Sequence, residues 1–324
     1  MKETELAINK KESFKGSVYL FFAFSLAGSS VICARFLSGK LGVFTITALS
    51  LLFSFLFLTL LCPQKILRTI RGMRFREWAE LILQALFGIF LFRMLLLQGL
   101  LLTSTSEAGI LTGAAPAITA ILAVTLLREP LRFKNLAGII STILGILLLQ
   151  GIMTSGSSFS MSHFGGNMLV LCAAASESIF NVLSRKQHLG NVSRKSITID
   201  PIVQTALVSG IAGLFSTIPA LFENPVPSVL LLGPLEWAVL LWYGIVVTAV
   251  AYICWYAGIC RRSAQTAAAF SGLLPFTALL LSVTILGEHA GLHQWAGGAF
   301  IVLGMILIGQ QKPEEKSLTC AQET

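Results

Sequence analysis

The sequence predicts an all-α integral membrane protein of ten transmembrane helices, arranged as two inverted five-helix repeats. Three observations support this prediction: an apolar composition, an alternation of basic residues between apolar runs, and an internal repeat. Of the 324 residues, 55% are hydrophobic and only 12% are charged. A soluble domain carries about twice that charged fraction. The folded chain is therefore expected to need lipid as its solvent.

Ten apolar runs have close to the length of about 20 residues with which a helix crosses a bilayer. They are grouped in two halves, residues 16–152 and residues 166–310, separated by a Gly- and Ser-rich connection at 153–165. Polar segments at 1–15 and 311–324 flank the halves. The predicted spans are 16–35, 41–62, 79–101, 104–127, 134–152, 166–184, 201–221, 236–258, 263–286 and 292–310.

The basic residues alternate from one connection to the next. If the N-terminus is cytoplasmic, 20 of the 23 Lys and Arg residues lie on inward segments. Arg35 and Lys40 are then outward, and Arg93 lies within a span. Basic residues are retained on the cytoplasmic side of a membrane. The count therefore predicts a multi-pass protein of the cytoplasmic (inner) membrane with both termini in the cytoplasm.

An internal repeat relates the two halves. One constant shift aligns residues 99–148 with residues 258–307 without a gap. Each unit contains an odd number of spans, so the second unit is expected to be inverted. Inverted repeats around a site at the membrane midplane are typical of secondary transporters. The matched pairs include Gly99 and Gly258, Gly113 and Gly272, Pro116 and Pro275, Glu129 and Glu288, and Gly145 and Gly304.

Two of these pairs predict hinges. Pro116 and Pro275 each remove one backbone hydrogen bond from a span, and such breaks are tolerated where neighbours or a cavity satisfy the freed groups. With Gly113 and Gly272 close by, we expect these positions to hinge the gates of a cavity. The alternative for each proline is a kink that only serves packing.

Several motifs resemble those of one known family. The second half contains Gly-Leu-Leu-Pro at 272–275, Leu-Gly-Glu at 286–288 and Gln-Trp-Ala-Gly at 294–297, and the first half repeats the pattern at 113–116 and 129–130. Together with Ala-Tyr-Ile-Cys-Trp-Tyr-Ala at 251–257, they are similar to the EamA-type drug/metabolite transporters. The resemblance implies ten helices and a central cavity for cargoes such as amino acids, their derivatives, nucleotide sugars or S-adenosylmethionine. Arg93, and Arg128 where the second half has Gly287, depart from the family pattern.

Ionisable side chains inside a membrane are costly and mark functional sites. Three lie within the predicted spans: Arg93 near the middle of the third, Glu177 in the inner half of the sixth, and Glu107 about one turn into the fourth from the outside. We expect Arg93 and Glu177 to face one cavity and to bind opposite ends of a zwitterion, because the Arg fork matches a carboxylate. The alternative is that Arg93 pairs with Glu107 or Glu177 and only holds helices together.

Other polar and aromatic residues complete the predicted substrate-binding site. Asn181 lies one helical turn after Glu177 and should share its face. Ser30 is the rough counterpart of Phe180 when Arg35 is aligned with Arg185. Aromatic faces suit a flat or cationic cargo, although such residues also serve packing. The predicted aromatic wall comprises Tyr252, Trp255, Tyr256 and Phe270.

The sequence contains no motif of an enzyme, and we predict no catalytic residue, no metal site and no cofactor. It also has no basic stripe suited to nucleic acid. We predict a secondary transporter that moves an amino acid or amino-acid derivative by alternating access. The alternatives are an exporter of varied hydrophobic compounds and a non-transporting membrane scaffold. The expected partners are a small-molecule substrate and membrane lipid, and both proton coupling and oligomer formation are compatible with the sequence.

Overall fold

The computed structural model describes residues 2–37, 39–103, 111–112, 114–130, 132–149, 163–194, 199–287 and 289–309. Within these residues the chain is helical and contains no strand, which confirms the predicted all-α fold. The first half contains α1 (Lys2–Gly28), α2 (Ser30–Leu37), α3 (Val43–Leu61), α4 (Pro63–Gly72), α5 (Phe75–Leu102), α6 (Ala115–Leu127) and α7 (Phe133–Leu149).

The second half repeats this order. It contains α8 (Phe164–Arg194), α9 (Pro201–Leu221), α10 (Pro225–Leu230), α11 (Pro234–Arg261), α12 (Ala264–Phe270), α13 (Leu273–Leu286) and α14 (Leu292–Gly309). Among the described residues, six helical segments are long and apolar enough to cross a membrane, and three shorter helices are also apolar. The protein is therefore a multi-pass membrane protein, and the count of ten spans stays a prediction.

The internal repeat extends into α5 and α11. The shift that pairs Gly99 with Gly258 also carries both ends of Phe75–Leu102 onto Pro234–Arg261. Each helix contains a wider π-helical segment, at Leu86–Leu91 in α5 and at Tyr243–Val250 in α11. Such π-bulges occur frequently at functional sites.

The two halves pack against each other through glycines in α7 and α14. A Cβ atom built on Gly145 would lie 2.7 Å from the Gly297 carbonyl oxygen, and one on Gly304 would lie 2.7 Å from the Gly138 oxygen. Ser141 Oγ donates a hydrogen bond of 2.7 Å to the carbonyl of Phe300, its repeat counterpart. Small residues let helices approach closely in lipid, so these positions bring the repeats together around their pseudo-two-fold axis.

A second pair of glycine contacts relates α1 to α8. A Cβ on Gly258 of α11 would meet Leu20 and the Gly16 oxygen of α1, and a Cβ on Gly99 of α5 would meet Val170 and the Gly166 oxygen of α8. The alignment that pairs Arg35 with Arg185 pairs Gly16 with Gly166 as well. These equivalent contacts support that alignment of the first predicted span with the sixth.

The prolines lie differently from the prediction. Pro116 is in the first turn of α6, where its missing N–H is not required. Pro275 is in the first turn of α13, and the helix is interrupted just before it, at Ser271 and Gly272. The Ser271 carbonyl accepts a hydrogen bond from the Leu274 amide instead. The prolines therefore begin helices rather than removing a hydrogen bond from the middle of one.

Two further features were not expected. The segment predicted to connect the second and third spans contains the amphipathic helix α4, which buries Ile66 and exposes its basic side chains. The unusual Arg128 stands at a position where the backbone favours glycine: it ends α6 in the left-handed conformation, with φ 55°, as Gly287 ends α13 with φ 69°. Both repeats thus require the same left-handed residue.

Candidate functional site

Arg93 lies within the apolar helix α5, just beyond its π-helical segment. Its Nη1 donates a hydrogen bond of 2.7 Å to Thr47 Oγ1 on α3, and its guanidinium lies 5.8 Å from the centre of the Tyr243 ring on α11. Thr47 in turn donates to the Val43 carbonyl, so its lone pairs face the arginine. Arg93 is therefore held by a hydroxyl and an aromatic face.

The predicted alternative of an ion pair between Arg93 and Glu177 is not formed. Within the described residues, no carboxylate pairs with Arg93 and no group hydrogen-bonds Glu177. Both side chains are partly accessible. The third predicted ionisable residue, Glu107, lies outside the described residues. Two opposite charges thus retain capacity to bind a ligand.

Tyr252 on α11 links the two charges. Arg93, Tyr243 and Glu177 all lie near Tyr252. The structure therefore brings together three of the predicted site residues, Arg93, Glu177 and Tyr252. Sequence reasoning missed Thr47 and Tyr243, which carry no signal of their own in apolar spans that contain many hydroxyl and aromatic residues.

Phe180 on α8 is the centre of an aromatic cluster with Tyr252, Trp255 and Tyr256. Its ring stacks on Trp255 at 4.6 Å with an interplanar angle of 16°. It lies 6.5 Å from the Tyr252 ring and 6.3 Å from the Tyr256 ring. Gly88, in the π-helical segment of α5, leaves the space that the Phe180 ring fills. The prediction missed Phe180 as a member of this wall, although its helical spacing from Glu177 places both on one helix face.

The remaining predicted members of the site have different positions. Phe270 is buried at the end of α12 in the same hydrophobic core as the aromatic cluster. Asn181 is buried on α8, one turn after Glu177. Ser30 is partly exposed at the start of α2, and no hydrogen bond in the described part of the chain joins it to Arg93 or Glu177.

Of the predicted hinge residues, Gly272 packs closely against α7. A Cβ atom on it would lie 2.8 Å from Thr142 Cγ2 on α7. Pro116 is buried and Pro275 partly exposed, each in the first turn of its helix. Gly113 lies outside the described residues.

One end of the aromatic cluster is closed by a glutamine network. Gln84 on α5 donates to Gln187 on α8 at 2.7 Å, and Gln204 on α9 donates to Gln84 and to Gln187, each at 2.9 Å. The Tyr256 hydroxyl on α11 donates to Gln84 Oε1 at 3.0 Å. Sequence reasoning missed this network, which joins four helices through buried polar groups.

Beyond the glutamine network, a buried ion pair clamps the connection between α11 and α12. Arg185 Nη1 on α8 donates to the carbonyls of Ile259 and Cys260, at 3.0 and 2.8 Å. Glu129 Oε1 lies 3.6 Å from Arg185 Nε and accepts from the Ala264 amide at 3.2 Å. A cation at a helix C-terminus and an anion at the next N-terminus both match the helix dipoles. We call this arrangement the charged clamp.

Residues of α1 and α7 also hold this connection. Arg261 Nε donates to Glu12 Oε2 at 3.1 Å, Arg262 donates to Ser13, and Asn135 on α7 donates to Gln265 at 2.8 Å. Burial lowers the pKa of Arg262 to about 10, and the nearby charge of Arg185 adds to this. The two repeats are thus joined at the end of the bundle that is predicted to be cytoplasmic.

The described part of the chain contains no group of three His, Cys, Asp or Glu side chains that could hold a metal ion. The site instead combines one cation, one anion and an aromatic wall between the two repeats. Such an arrangement can bind a small molecule that carries both charges.

Comparisons with known proteins agree with this architecture. A model of the EamA-like transporter family matches residues 14–150 and again residues 164–310. The uncharacterised transporter YetK of Bacillus subtilis is 27% identical over 97% of this chain and 92% of its own length. A probable amino-acid metabolite efflux pump of Salmonella typhimurium is 30% identical over 55% of this chain and 58% of its own. A solved crystal structure covers 90% of this chain and 95% of its own, with a TM-score of 0.72 and 21% identity.

Proposed function

The chain belongs to the EamA-like transporter family, and on this premise we propose that it moves a small zwitterionic metabolite across the cytoplasmic membrane. The cargo class is an amino acid or amino-acid derivative, and the mechanism is alternating access without a covalent step. The observation that carries the proposal is the pair of charges at Arg93 and Glu177, which do not neutralise each other directly and which both lie near Tyr252.

In this proposal the cargo carboxylate binds Arg93 and its ammonium group binds Glu177. The guanidinium offers a fork that matches a carboxylate. The hydrogen bond from Arg93 to Thr47 and the contact with Tyr243 restrict the orientation of the guanidinium before cargo arrives. Pre-organisation of this kind lowers the entropy that binding must overcome.

The aromatic cluster is the natural place for the remainder of the cargo. Phe180 and Trp255 stack on each other and are almost fully buried in this conformation, so their flat faces become available to cargo only when the bundle opens. A cargo like S-adenosylmethionine would set its amino-acid end at the charges, and its adenine and sulfonium against the rings. Similarity to the probable amino-acid metabolite efflux pump also supports a cargo of this general class.

The inverted repeats support alternating access. The glutamine network and the charged clamp hold the bundle together at the predicted cytoplasmic end. The cargo can pass at that end only if these contacts open. The helix interruption before Pro275 and the π-helical segments of α5 and α11 are regions where the helices can bend during such a change.

The test is transport by the purified full-length protein in liposomes. The labelled panel contains zwitterionic amino acids, their derivatives, S-adenosylmethionine and hydrophobic cations, each measured with and without a pH gradient. Empty liposomes and the double variant Arg93→Ala with Glu177→Gln are the controls, and Arg132→Gln, an exposed change elsewhere, reports on general damage.

We expect at least one zwitterion to move with saturable kinetics that the double variant loses and Arg132→Gln retains. If the protein transported none of the zwitterions in the panel, the proposal would be contradicted. Movement of hydrophobic cations that survives the double variant would instead favour an exporter of varied hydrophobic compounds. Acceleration by a pH gradient would add proton coupling.

A further inference from the structure

A long apolar groove lies on the outside of the bundle, away from the charged site. It runs along α3 and α9, encloses about 880 Å³, and is bounded by α4 at one end and by α10 at the other. Its lining is almost entirely apolar and includes Leu52, Phe55 and Leu214. Leu52 and Leu214 are 46% and 72% exposed, so this lining is open to the surroundings of the protein.

The length of this lateral groove matches a lipid tail. It extends along α3 from Thr45 to Thr59, which is about 21 Å at 1.5 Å per residue. One leaflet of a bilayer contributes about 15 Å of hydrocarbon. The groove therefore accommodates a whole acyl chain along the membrane normal. Gly210 and Gly213 on α9 make the groove deeper, since neither carries a side chain that would fill it.

Basic side chains lie at the α4 end of the groove. Ile66, Leu67 and Ile70 of α4 line the groove, whereas Arg68 and Arg71 are exposed on the same short helix. These arginines are separated by one helical turn and so are neighbours on its surface. No carboxylate in the described residues pairs with either of them, while Lys65 is paired with Asp200 at 3.4 Å.

An amphipathic helix with this distribution lies in the membrane interface, with its apolar face toward the hydrocarbon and its basic face among the headgroups. Anionic lipids attract such residues with about 1 kcal/mol for each Lys or Arg near the surface. We propose that the lateral groove binds one anionic phospholipid, with an acyl chain between α3 and α9 and its phosphate at Arg68 and Arg71.

The test measures lipid binding to the full-length protein in detergent by native mass spectrometry. The probes are phosphatidylglycerol and phosphatidylcholine with identical acyl chains. The headgroup variant is Arg68→Gln with Arg71→Gln, and the groove variant is Leu52→Trp. Their matched controls are Arg132→Gln with Lys134→Gln, which removes the same charge from another exposed segment, and Leu303→Trp, at an apolar position that is 47% exposed but outside the groove.

We expect phosphatidylglycerol to bind about tenfold more tightly than phosphatidylcholine, and the headgroup variant to abolish that preference. Leu52→Trp should weaken both lipids, because it fills the channel for the acyl chain, and both controls should behave as the wild type. Equal binding of the two lipids, or loss of preference in the charge control, would overturn the proposal. It would also be wrong if the wild type were a dimer that Leu52→Trp dissociates, since the groove would then bind a second copy.

Discussion

Arg93 and Tyr252 occupy equivalent positions in the two repeats. The shift that pairs Gly99 with Gly258 pairs them too, and each follows closely on a π-helical segment, in α5 and in α11 respectively. They also lie near each other at the interface between the repeats. The inverted repeat thus places two structurally matched side chains at the proposed site, and their different chemistry gives that site a cationic side and a phenolic side.

Replacement of Arg93 should weaken the binding of cargo that has a carboxylate. We expect Arg93→Ala to raise the KM for a transported zwitterion by about tenfold to a hundredfold, as a hydrogen bond to a charged group contributes about 1.5–3 kcal/mol. The KM of Arg93→Lys should lie between those of the wild type and Arg93→Ala, because lysine retains the charge but lacks the fork of the guanidinium. The measurement is initial uptake into liposomes of the amino acid and of its decarboxylated amine. If the variant handled these two as the wild type does, Arg93 would not bind the carboxylate.

Replacement of Glu177 should weaken the binding of cargo that has a free ammonium group. Glu177→Gln keeps the shape of the side chain but removes its charge, so the KM should rise for cargo with a free ammonium group and stay constant for an N-acetylated analogue. Glu80→Gln is the matched control, because it makes the same change at a partly exposed glutamate that pairs with Arg76. Equal losses for both analogues in Glu177→Gln would indicate a structural effect rather than contact with the ammonium group.

Phe180 should select for flat cargo. An aromatic pair contributes about 0.5–1.5 kcal/mol beyond its buried area, so Phe180→Leu should raise the KM for an aromatic or adenine-bearing cargo by about threefold to tenfold. An aliphatic cargo should be unaffected. Phe90→Leu, in a separate pair with Phe215 at 5.8 Å, controls for loss of an aromatic residue from the bundle. A uniform change across cargoes would argue that the cluster only packs.

Much of the fold could be predicted because lipid imposes simple rules. The apolar runs, the alternation of basic residues and the pairs such as Gly145 and Gly304 indicated a helical membrane protein with two repeats, and the family match confirms this. Helix α4 was missed because a short amphipathic segment cannot span a bilayer. The π-helical segments were missed because no residue type specifies them: each depends on how its helix packs.

The site was predicted less completely. Arg93 and Glu177 could be found because a charge inside a membrane is rare. Phe180 could not be distinguished among 22 phenylalanines, and only the space left at Gly88 shows why its ring lies there. The glutamine network depends on residues of α5, α8 and α9 that are far apart in sequence, and only the assembled bundle brings them into contact.

The left-handed residue at the end of α6 predicts a stabilising change. Arg128 has φ 55°, which costs a residue with a side chain about 1 kcal/mol, whereas its counterpart Gly287 adopts φ 69° without that cost. Arg128→Gly should therefore raise the thermal midpoint of the purified protein. Arg128→Ala removes the same side chain but keeps the strain, so it should give no such gain. An equal increase in both variants would assign the effect to the lost charge instead.

The charged clamp should control access from the end of the bundle that is predicted to be cytoplasmic. Loss of one partner of a buried ion pair leaves the other uncompensated, at a cost of about 3 kcal/mol or more. Arg185→Gln also frees the carbonyls of Ile259 and Cys260. We therefore expect this variant to favour the conformation that is open at the clamp.

Cys260 can report the opening of the bundle at the charged clamp, because its side chain is only 7% exposed in the clamped structure. In a protein whose other cysteines are replaced by serine, a membrane-impermeant maleimide added at that face should label Cys260 several-fold faster in Arg185→Gln than in the wild type. The double variant with Glu129→Gln should label more slowly than Arg185→Gln, because it leaves no unpaired buried charge to drive opening. Arg132→Gln should match the wild type. Labelling at one rate in all of these proteins would show that the ion pair stabilises the fold without gating it.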